Sequence, residues 1–407
     1  MSMKNSQYYI DLEDQFGAHN YHPIPVVIEK GEGIFVWDVE GKQYFDFLSA
    51  YSAVNQGHCH PSIIKALNDQ SQKLTLTSRA FHNNILGEYE KYITKLFGYD
   101  RVLPMNTGVE GGETAIKLAR KWAYEVKGIA ENQAEIVFAE GNFWGRTIAA
   151  ISSSTDSDSY NNFGPFVPGF SIVAYNDLVA LEEKFQNKNV CAFMVEPIQG
   201  EAGVVVPDNG YLKGVRDLCD KYNVLWIADE VQTGIGRTGK LFCCQHENVK
   251  PDLLILGKAL GGGVLPVSCV LGNDEVMLTL KPGQHGSTFG GNPLACAVAM
   301  ASLKVIEDEK LIENATQMGA LFRERLENMN FPIFELVRGK GLLNAVVVKP
   351  FGNGKTAYDI CIALKNNGLL AKQTHTHIIR FAPPLVINEA QINAACDIIE
   401  KTVKEML

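Results

Sequence analysis

The sequence predicts an α/β protein: a large domain on a mostly parallel sheet covered by helices, then a smaller α+β domain. Two observations carry this. Between residues 135 and 271, short and continuously apolar runs alternate with helical stretches, and strands apolar on both faces suit a parallel sheet covered on both sides. From about residue 292 the pattern changes to long helices with fewer strands between them. A chain of 407 residues, 46% of them hydrophobic, is long enough for two or three domains around a large core.

Taken in order, residues 33–47 alternate apolar and polar around Glu40-Gly41, a hairpin pattern. Helices are expected after Pro61-Ser62 and over Ile85 to Phe97. A stronger helix runs from Glu110 to Lys127, with Ala115, Leu118, Ala119, Trp122 and Val126 on one face behind a Gly-rich loop. Strands follow at 135–139, 190–196, 224–229, 253–256 and 267–271, with helices near 177–187 and 210–222. Residues 152–162 (SSSTDSDSYNN) read as a solvated loop. The last part reads as helices at 293–307 and 309–329, strands near 333–338 and 342–348, a helix at 356–367, a strand at 378–381 and a helix at 388–406. The expected division is an N-terminal segment over 1–49 that packs with the small domain, a large domain over 50–291 and a small domain over 292–407.

Thirty-seven basic residues against 46 acidic ones give a net charge of −9, so no basic field points to nucleic acid or to an anionic membrane. No apolar run approaches the roughly 18 residues of a membrane span. Met1 to Asp11 is polar and shows no signal or transit pattern. The nine cysteines are odd in number and scattered without a C-x-x-C, which predicts buried thiols in a reducing compartment, the cytoplasm. Cys243-Cys244 reads as structural. His58-Cys-His60 and His375-Thr-His377 are the only close histidine pairs and lack further ligands at metal spacing, so no metal is expected. A small soluble substrate is the default partner.

Gly234-Ile-Gly236-Arg-Thr-Gly239 matches G-x-G-x-x-G, and Gly234 through Lys240 matches most of a P-loop. Both fail on context. Leu241 stands where a P-loop needs Ser or Thr, and Leu-Phe-Cys-Cys does not open a helix onto a phosphate.

Three other features agree with one another. Lys258 leaves an apolar strand into a Gly-rich stretch, where a buried amine is suited to imine chemistry. Asp229 closes the run VLWIAD, 29 residues earlier, and a carboxylate there needs a partner. Asn106-Thr-Gly108-Val109-Glu110-Gly111-Gly112 enters a helix, whose free amides form an anion site. Two of them have a bland alternative: a lysine on a solvated face, and an ordinary Gly-rich loop entering a helix. Together they supply an imine-forming amine, a partner for a pyridinium nitrogen and a phosphate cradle, the contacts that pyridoxal 5'-phosphate requires.

Trp226-Ile-Ala-Asp229-Glu230-Val-Gln232-Thr-Gly234 and Pro251-Asp252-Leu-Leu-Ile-Leu-Gly257-Lys258-Ala-Leu-Gly-Gly-Gly resemble the signature of class-III pyridoxal-phosphate aminotransferases. Asn55-Gln-Gly57-His58-Cys-His60-Pro61, Asn106-Thr-Gly108, Glu196-Pro197 and Gly286-Ser287-Thr288-Phe289-Gly290-Gly291-Asn292-Pro293 extend the resemblance along nearly the whole chain. It implies pyridoxal-phosphate transferase fold type I and a homodimer with shared active sites. Lys258 would bond to the cofactor and carry the proton, Asp229 would pair with the ring nitrogen and Gln232 would contact the phenolic oxygen. Gly108 and Val109 would bind the phosphate with Ser287 and Thr288, Thr288 coming from the other subunit. Phe143 would stack on the ring.

Phe143-Trp144-Gly145-Arg146-Thr147 and Phe16-Gly17-Ala18-His19-Asn20-Tyr21-His22-Pro23 are similar to the branch of this family that acts on ornithine. The expected reaction moves the δ-amino group of L-ornithine to 2-oxoglutarate, giving glutamate 5-semialdehyde (cyclising to pyrroline-5-carboxylate) and glutamate. Arg146 would hold the α-carboxylate far from the cofactor, helped by Tyr21, with Tyr51 as a gating aromatic. Arg380 would bind the α-carboxylate of 2-oxoglutarate, and Glu201 would cover Arg380 in the first half-reaction. Siblings acting on N-acetylornithine or 4-aminobutyrate, and a catalytically silent protein of the same fold, are the alternatives.

Overall fold

The computed structural model describes residues 5–350 and 354–407; residues 1–4 of the expected N-terminal segment lie outside these. Its centre is a seven-stranded sheet in the order Arg101–Met105, Ser268–Gly272, Leu253–Leu256, Leu225–Asp229, Val190–Val195, Glu135–Ala139, Phe170–Val173. The last five are mutually parallel, and Ser268–Gly272 runs antiparallel to both neighbours. Every residue of Val190–Val195, Leu225–Asp229 and Leu253–Leu256 is buried, as continuous apolar runs require. Burying each Val, Leu or Ile contributes roughly 1.5–3 kcal/mol, so this slab is a rigid base for whatever its loops carry.

Two strands of this sheet were not expected, Arg101–Met105 and Phe170–Val173, and they are its two edges. An edge strand has one solvated side, and both are partly exposed, so neither carries the continuous apolar run that marks the central strands. The helix expected from Glu110 begins at Gly108. Thr107 caps it, and the Glu110 carboxylate returns to the Thr107 and Asn106 amides at 2.7 and 3.1 Å. Glu110 is therefore the third residue of the helix, and the α-helix ends at Trp122 in a π-turn over Ala123–Lys127. The stretch 152–162 is not simply a solvated loop. Ser153 and Ser159 are buried, and Ser157–Tyr160 forms a helical turn.

The N-terminal strands Ile28–Glu32, Phe35–Asp38 and Gln43–Asp46 form a sheet completed by Leu369–Leu370, which runs parallel to Gln43–Asp46. A third sheet takes the order Phe334–Lys340, Leu343–Val348, Ile378–Phe381, Lys372–Thr374. Helices Pro293–Asp308, Leu311–Asn328 and Glu389–Met406 lie where the periodicity places them, and the helix at Ala357–Asn366 does too. The short strands at 369–370 and 372–374 escaped the sequence reading. No helix among the described residues is long and apolar enough to cross a membrane.

Candidate active site

In a parallel sheet, loops leaving the carboxyl ends of the strands meet on one side, and ligands bind there. Five strand ends deliver the site. Met105 leads to the loop before Gly108, Ala139 to Phe143, and Val195 to Glu196, while Asp229 closes its own strand and Leu256 precedes Lys258 by two residues. Register places Val195 beside Ala228 and Asp229 beside Ile255, so neighbouring strands converge on one point.

Asp229 is buried. Its Oδ1 accepts the Val231 amide at 3.0 Å, and Oδ2 has no partner among the described residues. Burial pushes this carboxyl up to about 6, against the pull of the Val231 amide and the Lys258 charge. Lys258 stands in the left-handed region at φ 44°. Burial lowers its amine, opposed by Glu201, Asp229 and Glu196, and the amine has no hydrogen-bond partner among the described residues. The Gly108 and Val109 amides, first in their helix, have no acceptor either.

An unpaired carboxylate oxygen on a buried aspartate, an unpaired amine and two open amides at a helix start are what a phosphorylated pyridine aldehyde would satisfy, so the residues fit pyridoxal phosphate. Glycines make the approach possible. A Cβ at Gly200 would collide with the Gln232 amide, and one at Gly145 would collide with Val109. At Gly108 it would come within 3.0 Å of Val231. Phe143 faces Asp229 across a crevice that Glu196 also lines. Ser287 accepts a hydrogen bond from Asn106 at 2.7 Å, beside the phosphate loop of its own chain. Thr288 is exposed and makes no hydrogen bond among the described residues.

Arg380, Glu201, Tyr51, Tyr21 and Arg146 form a second group beside Lys258. Arg380 Nη1 donates to Glu201 Oε1 at 2.9 Å and to the Gly200 carbonyl at 3.4 Å, and its guanidinium lies 4.9 Å from the Tyr51 ring centre. Burial raises the Glu201 carboxyl, but the Arg380 charge and hydrogen bond, with Lys258 and Arg146 beyond, outweigh it and hold it below the ordinary value. Tyr51 is raised by burial, with Arg380 opposing and Glu201 and Tyr21 adding. Arg146 stays exposed, its Nη1 3.1 Å from Ser159 Oγ and its guanidinium 5.5 Å from the Phe143 ring centre. Tyr21 is 76% exposed at the mouth.

Four residues escaped the sequence reading as site components. Glu196 is buried, accepts the Phe143 amide at 2.9 Å and the Gly200 amide at 3.3 Å, and is pushed up to about 8 by burial and Asp229. Its place at a strand end, like that of Asp229, was the available signal. Asp46 and His58 make a part-buried pair at 2.7 Å, whose Asp46 also accepts the Leu48 and Ser49 amides just before Tyr51, and no spacing rule announces it. Glu230 accepts the Cys243 and Cys244 amides at 2.8 and 2.9 Å, and both thiols are buried and raised, as structural cysteines would be. No group of three or more His, Cys, Asp or Glu suited to a metal occurs among the described residues. Residues 234–240 form turns followed by a 3₁₀ turn, with no strand-to-helix passage onto a phosphate.

The family model for aminotransferase class-III matches residues 16–403. A Drosophila melanogaster protein named ornithine aminotransferase, mitochondrial, is 65% identical over 395 residues, 97% of this chain and 91% of its own length. A structure of the ornithine aminotransferase from Toxoplasma gondii, described with partial occupancy of PLP at its active site, superposes with TM-score 0.97 at 50% identity, covering 100% of this chain and 96% of that one. The structure named acetylornithine aminotransferase from Elizabethkingia anophelis superposes with TM-score 0.91 at 59% identity, covering 99% of this chain and 100% of that one. With a matched family model, relatives of this identity and one cleft holding the expected lysine, aspartate and open amides, the chain belongs to the class-III aminotransferases.

Proposed function

We propose that the chain transfers the δ-amino group of L-ornithine to 2-oxoglutarate, giving glutamate 5-semialdehyde, which cyclises to pyrroline-5-carboxylate, and glutamate. The cofactor is pyridoxal 5'-phosphate, which when bound supplies an electron sink for charge developing at the substrate carbon. Lys258 would hold it and would carry the proton to and from the substrate carbon; its lowered amine suits that work. Asp229 would hold the ring nitrogen in its protonated form, and Gln232 would contact the phenolic oxygen. Gly108 and Val109 would bind the phosphate with their amides, Ser287 would support that loop, and Phe143 would stack on the ring.

One observation carries the choice of amine. Two arginines share the cleft, and only Arg380 is covered by a carboxylate, Glu201 at 2.9 Å, while Arg146 stays open. An α-carboxylate entering such a site pairs with Arg146, helped by Tyr21 and Tyr51, and brings the distal amine to Lys258. In the second half-reaction Glu201 swings away and Arg380 binds the 2-oxoglutarate α-carboxylate. The relatives named as ornithine aminotransferases support this reading over N-acetylornithine or 4-aminobutyrate.

The active form is a homodimer in which Thr288 of the partner subunit completes the phosphate site, a reading supported by the exposure of Thr288 here. The proposed compartment is the cytoplasm, supported by nine free cysteines, eight of them buried.

The test is the visible absorbance of the purified holoenzyme before and after L-ornithine, with no keto acid present. Ornithine should convert the cofactor band to the amine form. A band that responds to N-acetyl-L-ornithine or 4-aminobutyrate but not to ornithine would refute the substrate and leave the family standing.

A further inference from the structure

Four consecutive residues, none of them glycine, lie in the left-handed region: Ser49, Ala50, Tyr51 and Ser52, at φ 48°, 45°, 60° and 71°. L-residues visit that region singly, because Cβ meets the carbonyl oxygen, so a full left-handed turn is costly and must be held by its surroundings. Its backbone closes through the Tyr51 amide to the Leu48 carbonyl at 2.9 Å and the Ala53 and Val54 amides to the Ser49 carbonyl at 2.9 and 3.1 Å, while the hydroxyls of Ser49 and Ser52 are buried with no partner among the described residues, so the turn wastes two side-chain hydrogen bonds.

The restraint comes from Asp46. Its Oδ1 accepts the Leu48 and Ser49 amides at 2.8 and 2.9 Å, and its Oδ2 meets His58 Nε2 at 2.7 Å. His58 is itself fixed. Its backbone bridges Gly33, and a Cβ on Gly31 would come within 2.8 Å of its ring. The turn also opens beside the strand that carries Arg380, since the Phe47 carbonyl accepts the Ala382 amide at 2.7 Å. What the turn presents to the cleft is the Tyr51 ring, 4.9 Å from the Arg380 guanidinium.

We propose that the turn Ser49–Ser52 is a strained positioning element, clamped by Asp46 and His58, that seats Tyr51 on Arg380 and thereby favours the distal amine over the α-amine. The inference rests on the reading of Arg380 and Glu201 given above. With the ring on one side and the Gly200 carbonyl at 3.4 Å, the guanidinium is directed at Glu201. If the clamp opens, the four residues relax toward ordinary backbone angles, Tyr51 withdraws, and Arg380 gains freedom to take an incoming α-carboxylate. Ala50 is exposed, so glycine can replace it with little loss of packing and occupies the left-handed region without the Cβ penalty.

The experiment compares single-turnover kcat/KM for L-ornithine and L-glutamate in holoenzyme carrying Asp46→Ala, Asp46→Ala with Ala50→Gly, and Tyr51→Ala. Asp46→Ala should lower the ornithine-to-glutamate ratio about tenfold, the scale of a desolvated cation–π contact. Adding Ala50→Gly should recover most of that ratio and raise the melting temperature of the cofactor-free chain above that of Asp46→Ala alone. A ratio unmoved by Asp46→Ala, or a loss that Ala50→Gly does not recover, would overturn the proposal. Should Asp46→Ala fail to fold, His58→Ala, at a partly exposed position, takes its place with the same rescue by Ala50→Gly and the same supporting and refuting results. Tyr51→Ala separates the two levels. If it shifts the ratio while the clamp variants do not, the turn proposal fails alone; if it too leaves the ratio unchanged, the reading of Arg380 fails with it.

Discussion

Replacing Glu201 with Ala tests the proposed choice of amine most directly. The Arg380–Glu201 pair is 2.9 Å long, with side chains 5% and 30% exposed. Two charges about 4 Å apart at an effective dielectric near 20 attract by ~4 kcal/mol. Partial exposure of Glu201 and the cost of holding the pair bring what an incoming carboxylate must overcome to roughly 1.5–3 kcal/mol. At 1.4 kcal/mol per factor of ten, Glu201→Ala should raise kcat/KM for the glutamate half-reaction about 10- to 100-fold relative to ornithine. Glu201→Gln, which keeps a hydrogen-bond acceptor without the charge, should fall between. Single-turnover absorbance of the cofactor, with each amino acid alone, measures both rates on one sample. A glutamate-to-ornithine ratio within about a factor of two of the parent protein would show that Glu201 does not cover Arg380 in the reacting enzyme.

Three further outcomes follow from the same geometry. Burial raises Asp229 to about 6 and Glu196 to about 8, so the folded cofactor-free chain holds protons that the unfolded chain releases. That contribution to stability is complete below about pH 4 and is lost as pH rises through about 6 to 8. Glu196→Gln should therefore flatten the decline in melting temperature from about pH 5 to 8, and curves parallel to the parent would contradict this. Gly200→Ala forces a Cβ onto the Gln232 amide and should lower both cofactor affinity and turnover, read by titration of pyridoxal phosphate into the cofactor-free chain; unchanged affinity would remove Gln232 from the cofactor site. Arg237 is fully buried and serves the carbonyls of Leu342 and Pro383 and the amide oxygen of Asn55. Arg237→Met leaves those acceptors bare and should cost roughly 2–4 kcal/mol, seen as a lower urea midpoint, while an unchanged midpoint would mean that water replaces the guanidinium.

Four of the five strands that lead into the cofactor site were legible as short apolar runs, and Asp229, a carboxylate closing one of them, marked the place. The two edge strands were not, since a half-exposed strand such as Arg101–Met105 lacks that run. The Glu110 carboxylate illustrates a different loss. Its capping role places the helix start two residues earlier than periodicity does, because periodicity registers buried faces and is blind to the first turn.

Local residue types were enough to specify the chemistry: a lysine, an aspartate and a glycine-rich helix entry, together with the family to which their motifs belong. Packing sets how these groups are tuned and which of them meet. Glu201 and Arg380 lie 179 positions apart and face each other because the third sheet packs on the loop after Val195, where Ile198 and Val204 share a buried cluster with Leu343, Ala345 and Ile378. Glu196 gains its raised pKa from burial beside Asp229, which depends on the packing around both. The left-handed turn under Tyr51 is the clearest case. Nothing in Ser-Ala-Tyr-Ser asks for it, and it exists because Asp46 and His58, fixed by the N-terminal hairpin, offset locally unfavourable backbone angles with hydrogen bonds made elsewhere.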